Sequence, residues 1–302
     1  MRLPDSDSPS PVRKNVYVIC NPTAGRIHSL FDPALDTLKK LGVACESVKT
    51  SESGHAQRLA REAARSGRYD AVVAAGGDGT INEVIHGLAD SAIPLGIIPL
   101  GTANVLALEI DLKFNPDSIA RTIAFGETQD IHLGRVEGRL FFLMVSAGFD
   151  ARVVQKTSAK LKKLIGKGAY AFSGSCKFFR APASPFEVTV DGAKHPAAWV
   201  IVSNTRLYGG KFLLAPDAGL TNSGFSVVLF SGRGRWGLLK DLWEILCGRT
   251  GYSSRTKILQ GTDITIERDP SEPVQADGDL AGTLPVTITS APHRIKLIVP
   301  DR

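Results

Sequence analysis

Cysteine is scarce in this 302-residue chain: Cys20, Cys45, Cys176 and Cys247 stand far apart, with no CxxC pair. That argues against a disulfide framework and a cysteine-built zinc site, and fits a reducing cytosol. The six histidines are equally scattered, and no HExxH is present. Apolar runs are short. None approaches the roughly 20 residues of a transmembrane helix, so a cytoplasmic protein with only peripheral membrane contact is expected. The first 13 residues (MRLPDSDSPSPVR) lack the apolar core of a signal peptide; polar and Pro/Ser-rich, they predict a disordered tail. The Walker A pattern GxxxxGK[ST] is missing, and there is no internal repeat.

What is present is ordinary in bulk, with 43% hydrophobic and 22% charged residues. The length suggests two medium domains. Net charge is +6 and the pI about 9.2, which suits anionic partners without choosing among them. Residues 14–131 alternate strand and helix. Strands are expected at 15–20, 43–50, 69–75 and 93–98, and helices after Asp32-Pro33 and at 55–65, 81–88, 104–110 and 116–125. Such alternation predicts a parallel sheet covered on both faces. From about His132 the pattern becomes a series of short strands parted by turns such as Glu137-Gly138 and Asp191-Gly192, mostly antiparallel β. Helical inserts are expected near 151–179 and 237–246.

Two stretches carry less than they suggest. Residues 232–237 (GRGRWG) match GxGxxG, but Lys257 stands where a dinucleotide site needs an acid, so a glycine-rich turn is the better reading. Residues 151–180 hold eight basic residues, among them Arg152, Lys156, Lys162 and Lys163, and no acid. They form either a solvated helix face or a seat on an anionic membrane; no recognition motif supports nucleic acid.

The chemistry concentrates at strand ends. Gly76-Gly77-Asp78-Gly79-Thr80 follows a buried strand and precedes a helix, with Asn82-Glu83 just beyond. Glycines there let backbone N–H groups approach phosphate oxygens, and the helix N-terminus favours negative charge. A carboxylate among phosphates needs a bridging cation, which makes Asp78 a candidate to hold or orient Mg²⁺. A tight Asp-Gly turn is the plainer alternative. The next strand ends in Gly101-Thr102 with Asn104 following, and the first ends in Asn21-Pro-Thr-Ala-Gly25-Arg26, whose arginine could reach phosphate.

These segments, NPTAG at 21–25, GGDGT at 76–80 followed by INEV, and PLGTANVLA at 99–107, resemble the catalytic domain of diacylglycerol kinases, a group that includes bacterial lipid kinases and sphingosine and ceramide kinases. Ser146-Ala-Gly148-Phe149, Asn204, Tyr208-Gly209-Gly210, Ala215-Pro216-Asp217-Ala218 and Ala276-Asp277-Gly278-Asp279 extend the likeness over about 14–300. The resemblance implies an α/β nucleotide-binding domain like that of NAD kinases (14–131, with 293–302 returning to it) and a β-sandwich lipid-substrate domain (132–292). It implies ATP and Mg²⁺ as cofactors, Thr50, the 76–82 loop and Thr102 at the nucleotide, and a lipid acceptor at the membrane surface.

Two departures stand out. The family's catalytic base closes Asp-Gly-Glu; here the position is Asp279, one methylene shorter, so the roles of Asp277 and Asp279 stay open. Bacterial relatives also carry an accessory Mg²⁺ site. Its counterpart here, Leu220, Ser223 and Phe225, has a serine for the carboxylate, so the site is expected to be absent or weak. A nucleotide-binding regulator without turnover and a kinase of a soluble substrate such as NAD remain as alternatives. Phe142, Met144, Phe149, Phe212 and Leu213 are candidates for an acyl pocket or for plain core. A homodimer is only the common case among oligomers.

Overall fold

The computed structural model describes residues 12–25, 27–156, 185–232, 234–268 and 272–301. The chain divides into two compact units: 1–101, 110–129 and 295–302 form the first, 102–109 and 130–294 the second.

In the first half of the chain, β1 (Asn15–Cys20), α1 (Asp32–Lys40), β2 (Ala44–Lys49), α2 (His55–Ser66), β3 (Ala71–Gly76), α3 (Asp78–Leu88), β4 (Leu95–Pro99), α4 (Val105–Glu109) and α5 (Pro116–Phe125) follow one another. A π-helical turn, Ile27–Phe31, precedes α1. The first unit's strands lie parallel in the order β2-β1-β3-β4. β3 (AVVAAG) is buried throughout, as a central parallel strand with both faces covered must be. Asn115 caps α5 by accepting the Ser118 N–H (2.8 Å), and Pro116 supplies the first-turn proline. Arg13 is buried and donates to the carbonyls of Ile123 (3.1 Å) and Gly126 (3.0 Å), satisfying groups the helix end leaves over.

The second unit is built from β5 (Thr128–Val136), β6 (Arg139–Phe141), β7 (Met144–Ala147), α6 (Phe149–Lys156), β8 (Phe186–Val190), β9 (Ala193–Ala197), β10 (Trp199–Ser203), β11 (Leu207–Tyr208), β12 (Phe212–Leu213), β13 (Phe225–Phe230), α7 (Gly234–Leu246), β14 (Thr256–Gly261), β15 (Asp263–Glu267), β16 (Pro273–Ala276), β17 (Asp279–Thr283) and β18 (Val286–Ile298). One antiparallel sheet runs β14-β13-β10-β7-β16-β17. A second layer pairs β18 with β15, β15 with β8 and β8 with β9. The two layers share a core that includes Phe141, Val145, Phe186, Val202, Phe225, Val227, Ile264, Val274 and Ile288. The end of β18, from Ile295, belongs to the first unit, where Leu297 registers with Leu95 of β4 in parallel.

Several elements were not anticipated from sequence. The strands β9, β11, β12, β16 and β17 are short or largely polar and give no run of alternation. Residues 102–109 pack with the second unit although they lie between elements of the first in sequence. Their anchor is Glu109, whose buried carboxylate accepts the Arg206 N–H (3.1 Å) and Arg206 Nε (2.9 Å). The helix expected near 151–179 is α6 as far as Lys156; 157–184 lie outside the described residues. With them goes most of the basic 151–180 stretch, and Arg152, within the described part, is ion-paired to Glu272 (2.5 Å).

Candidate functional site: two glycine-lined strand ends and an acidic hairpin

In the first unit, three strand ends meet. The Asn21 N–H donates to the Ala75 carbonyl (2.9 Å), its Oδ1 accepts from the N–H (3.0 Å) and hydroxyl (2.9 Å) of Thr23, and its Nδ2 donates to Thr80 Oγ1 (3.3 Å). Thr50 is joined to the same edge through its N–H to the Cys20 carbonyl (2.8 Å). A Cβ on Gly76 would lie 2.5 Å from Thr80 Cβ, and one on Gly77 would lie 3.1 Å from Gly101 Cα. Glycine at 76 and 77 therefore lets the ends of β3 and β4 close on the first turn of α3, with the Leu100 N–H on the Gly76 carbonyl (2.9 Å).

Gly77 is the N-cap of α3 and has no side chain with which to satisfy the helix's first N–H groups. Gly79 is different. It is exposed, and nothing lies within 4 Å of where its Cβ would be. Packing does not require glycine there. Asp78 stands in the first turn, half-buried. Asn82 is buried, and its Oδ1 has no protein hydrogen-bond partner, an acceptor left for a ligand or water. Gly25 is exposed in the turn after β1, and Arg26 lies outside the described residues.

Glu83 has a task within the fold. α2 begins after the left-handed Gly54, which offers no cap, and Glu83 Oε2 accepts the Ala56 N–H (3.1 Å) in its place.

In the second unit, Asp277-Gly278 forms the two-residue turn between β16 and β17, with φ of 50° and 86° and Ala276 paired to Asp279. Positive φ at both positions is the type I′ geometry for which Asp-Gly is suited. The Asp277 carboxylate accepts three backbone N–H groups, from Phe142 (2.9 Å), Leu143 (2.9 Å) and Met144 (3.0 Å). Burial pushes this carboxyl up to about 6, against the pull of those three donors and Arg139. With both oxygens so engaged, Asp277 ties the turn to the β6–β7 connection. Asp279 is exposed instead, with Arg139 Nη2 3.3 Å from its Oδ2, and Arg139 Nη1 donates to the Leu280 carbonyl (3.1 Å).

Behind the turn runs a buried polar chain. The Gly278 N–H donates to Gln275 Oε1 (2.8 Å); Gln275 Nε2 donates to Ser146 Oγ (2.8 Å) and Asp150 Oδ2 (3.3 Å); Asp150 Oδ1 accepts from Trp199 Nε1 (2.9 Å). Burial raises the Asp150 carboxyl above the ordinary range. Ser146 and Gly278 stand in segments that carry the family likeness, whereas Gln275, Asp150 and Trp199 were not singled out from sequence. Gln275 carried only nearness in sequence as a signal, standing two residues before Asp277. Asp150 directly follows the Gly148-Phe149 pair, whereas Arg139 had no local signal.

Thr102 is exposed, and Asn104 is buried with φ of 49°, its carbonyl accepting the Leu108 N–H (3.1 Å) at the start of α4. At the accessory position the Leu220 carbonyl takes the His132 N–H (2.7 Å), the Ser223 carbonyl takes the Ser290 hydroxyl (3.1 Å), and Phe225 is buried in β13. With no carboxylate at 223, this donor set does not fit a hard dication. Among the described residues no three His, Cys, Asp or Glu side chains come together as a metal site.

The diacylglycerol kinase catalytic domain matches residues 15–136, and the YegS C-terminal NAD kinase beta sandwich-like domain matches 143–299, just over half of the chain. A diacylglycerol kinase of Staphylococcus aureus is 28% identical over 302 residues, covering 96% of this chain and 94% of the relative. One of Staphylococcus epidermidis is 27% identical over 299 residues, covering 96% and 93%. A crystal structure of a diacylglycerol kinase from Bacillus anthracis superposes with a TM-score of 0.73 at 22% identity, over 95% of this chain and 98% of that one. At that identity it speaks for the fold: an α/β domain followed by a β-sandwich-like domain. Sequence and fold agree across both halves, and the chain belongs to the diacylglycerol kinase catalytic-domain family and is a lipid kinase.

Proposed function

We propose that the chain uses ATP and Mg²⁺ to phosphorylate a hydroxyl of a diacylglycerol-like or sphingoid lipid at the cytoplasmic membrane surface, with diacylglycerol first among the acceptors. The observation that carries this reading is the hairpin at 277–279. Asp277 is consumed by three backbone N–H groups, and Asp279 is left exposed beside Arg139. That arrangement suits a general base that must meet a substrate proton. The lipid oxygen forms the new P–O bond, the bond from the γ-phosphorus to the bridging oxygen breaks, ADP leaves with that electron pair, and the hydroxyl proton passes to Asp279. Mg²⁺, when bound, neutralises charge on the phosphate oxygens. Asp78 would hold it, the α3 N-terminus and the glycines at 76, 77 and 79 would receive phosphate, and Asn82 Oδ1 would accept a nucleotide donor. Asn21, Thr50, Thr80, Thr102 and Asn104 would complete the nucleotide's polar surroundings. The names of the relatives favour diacylglycerol over sphingoid acceptors.

Phosphate transfer from labelled ATP with Mg²⁺ to diacylglycerol, monoacylglycerol, phosphatidylglycerol, sphingosine and ceramide in mixed micelles tests this, with NAD as a soluble control. Diacylglycerol should be the best acceptor. Asp279→Ala should lower kcat by about 10²–10⁴-fold with little change in KM for ATP. Transfer to NAD alone, or an Asp279→Ala variant that turns over normally, would overturn it.

A further inference from the structure

Among the described residues, seven large hydrophobic side chains stand exposed, and five of them fall within residues 236–252: Trp236, Leu239, Trp243, Leu246 and Tyr252. Trp236 is 71% and Trp243 67% exposed. The spacing of three, four and three residues puts the first four on one face of α7, at roughly 100° per residue. The opposite face, Leu238, Asp241 and Ile245, is the buried one. This is a helix with an apolar stripe on each side, and only one is covered.

Its charges are sorted as well. Both acids of α7 turn inward to Arg255, which approaches Glu244 Oε1 at 2.7 Å and Asp241 Oδ1 at 3.7 Å. The hydroxyls of Ser253 and Thr256 also donate to Glu244 (3.0 Å each). The exposed charges are cations: Arg235 and Lys240, which flank the stripe on either side, and Arg249 just beyond the helix. Tryptophan and leucine framed by Lys and Arg, with no acid left outward, match an anionic bilayer surface in both polarity and charge.

We propose that the exposed face of α7, with Trp236 and Trp243 as anchors, is the element that docks this enzyme on anionic membranes. The inference rests on the reading that the acceptor is a bilayer lipid. α7 is tied to the sheet that carries the 277–279 hairpin: the Thr256 hydroxyl of β14 donates to Glu244 of α7 (3.0 Å), and β14 belongs to the sheet that ends in β16 and β17. Docking through α7 therefore holds that scaffold at the surface. No helix among the described residues is long and apolar enough to cross a membrane, so anchoring by α7 would be interfacial.

The test uses the full chain, Trp236→Ser/Trp243→Ser and Arg235→Glu/Lys240→Glu, with vesicles of phosphatidylcholine alone or mixed with phosphatidylglycerol. Trp199, the third tryptophan, is buried and stacked on Phe230 (4.4 Å between centroids), so an emission shift reports on α7. Wild type should sediment with the mixed vesicles and shift to the blue. The double tryptophan variant should lose at least about tenfold in partitioning, and the charge-reversed variant should lose the preference for anionic lipid. Equal binding by the tryptophan variant, or no binding by wild type, overturns the proposal. So does a wild-type dimer in sedimentation velocity that the tryptophan variant dissolves, which would make the face a contact between copies. A water-soluble short-chain diacylglycerol separates the two readings. The tryptophan variant should phosphorylate it as wild type does; if wild type does not, the acceptor reading fails while the vesicle result stands.

Discussion

At the residue scale, the two aspartates of the 277–279 hairpin divide the work according to what surrounds them. Asp277 accepts three N–H groups and carries a carboxyl raised to about 6 by burial. A carboxyl whose pKa is higher folded than unfolded takes up its proton first in the folded state. Its contribution is therefore most favourable below about 4 and is lost as pH rises through 6. Comparing wild type with Asp277→Asn by thermal unfolding checks this: the stability advantage of wild type should be larger at pH 5 than at pH 7. If it is instead larger at pH 7, the N–H donors outweigh burial. Gly79 offers a second check. Alanine there meets nothing within 4 Å and sits inside α3, so Gly79→Ala should gain about 0.5–1 kcal/mol in helix stability. If phosphate approaches that backbone, KM for ATP should rise several-fold in the same variant. Higher stability with unchanged KM would remove Gly79 from the phosphate site.

At the scale of elements, α2 and α3 show how a motif residue can serve the fold. Glu83 follows the glycine-rich loop and from sequence belongs to the nucleotide site, yet its carboxylate caps α2, a helix whose own N-cap is Gly54. Glu83→Ala should cost about 0.5–2 kcal/mol, the range for losing a cap, seen as a lower Tm, with KM for ATP within twofold of wild type. A large rise in KM would return Glu83 to the site. The strands β1, β3 and β4 were legible because buried parallel strands read as short apolar runs ended by glycine or proline. β16 and β17 were not, because Pro273–Ala276 and Asp279–Thr283 are short and mostly small or polar; pairing with β7, not local preference, makes a strand of β16.

At the scale of the molecule, the chain passes between its two units near residues 101, 109, 129 and 294. The first unit receives the end of β18 from the far C-terminus, with Leu297 against Leu95 and the Val299 N–H on the Glu127 carbonyl (2.9 Å). A fragment of residues 1–131 leaves that edge of β4 unpaired. It should fail to show a cooperative urea transition by circular dichroism; a sharp transition like that of the whole chain would show that the returning strand is dispensable. Sequence alone determined the chemistry on offer: glycine-rich strand ends, an Asp-Gly-Asp turn and a family likeness over both halves. Those signals are local, because turns and strand ends depend on a few adjacent residues. Tertiary structure decided which carboxylate is occupied, that Arg139 stands beside Asp279, that Glu83 caps a helix, and that α7 turns its tryptophans outward. Each of these depends on partners brought together from distant parts of the chain or on which side of an element the core covers, and neither is written in any single stretch of residues.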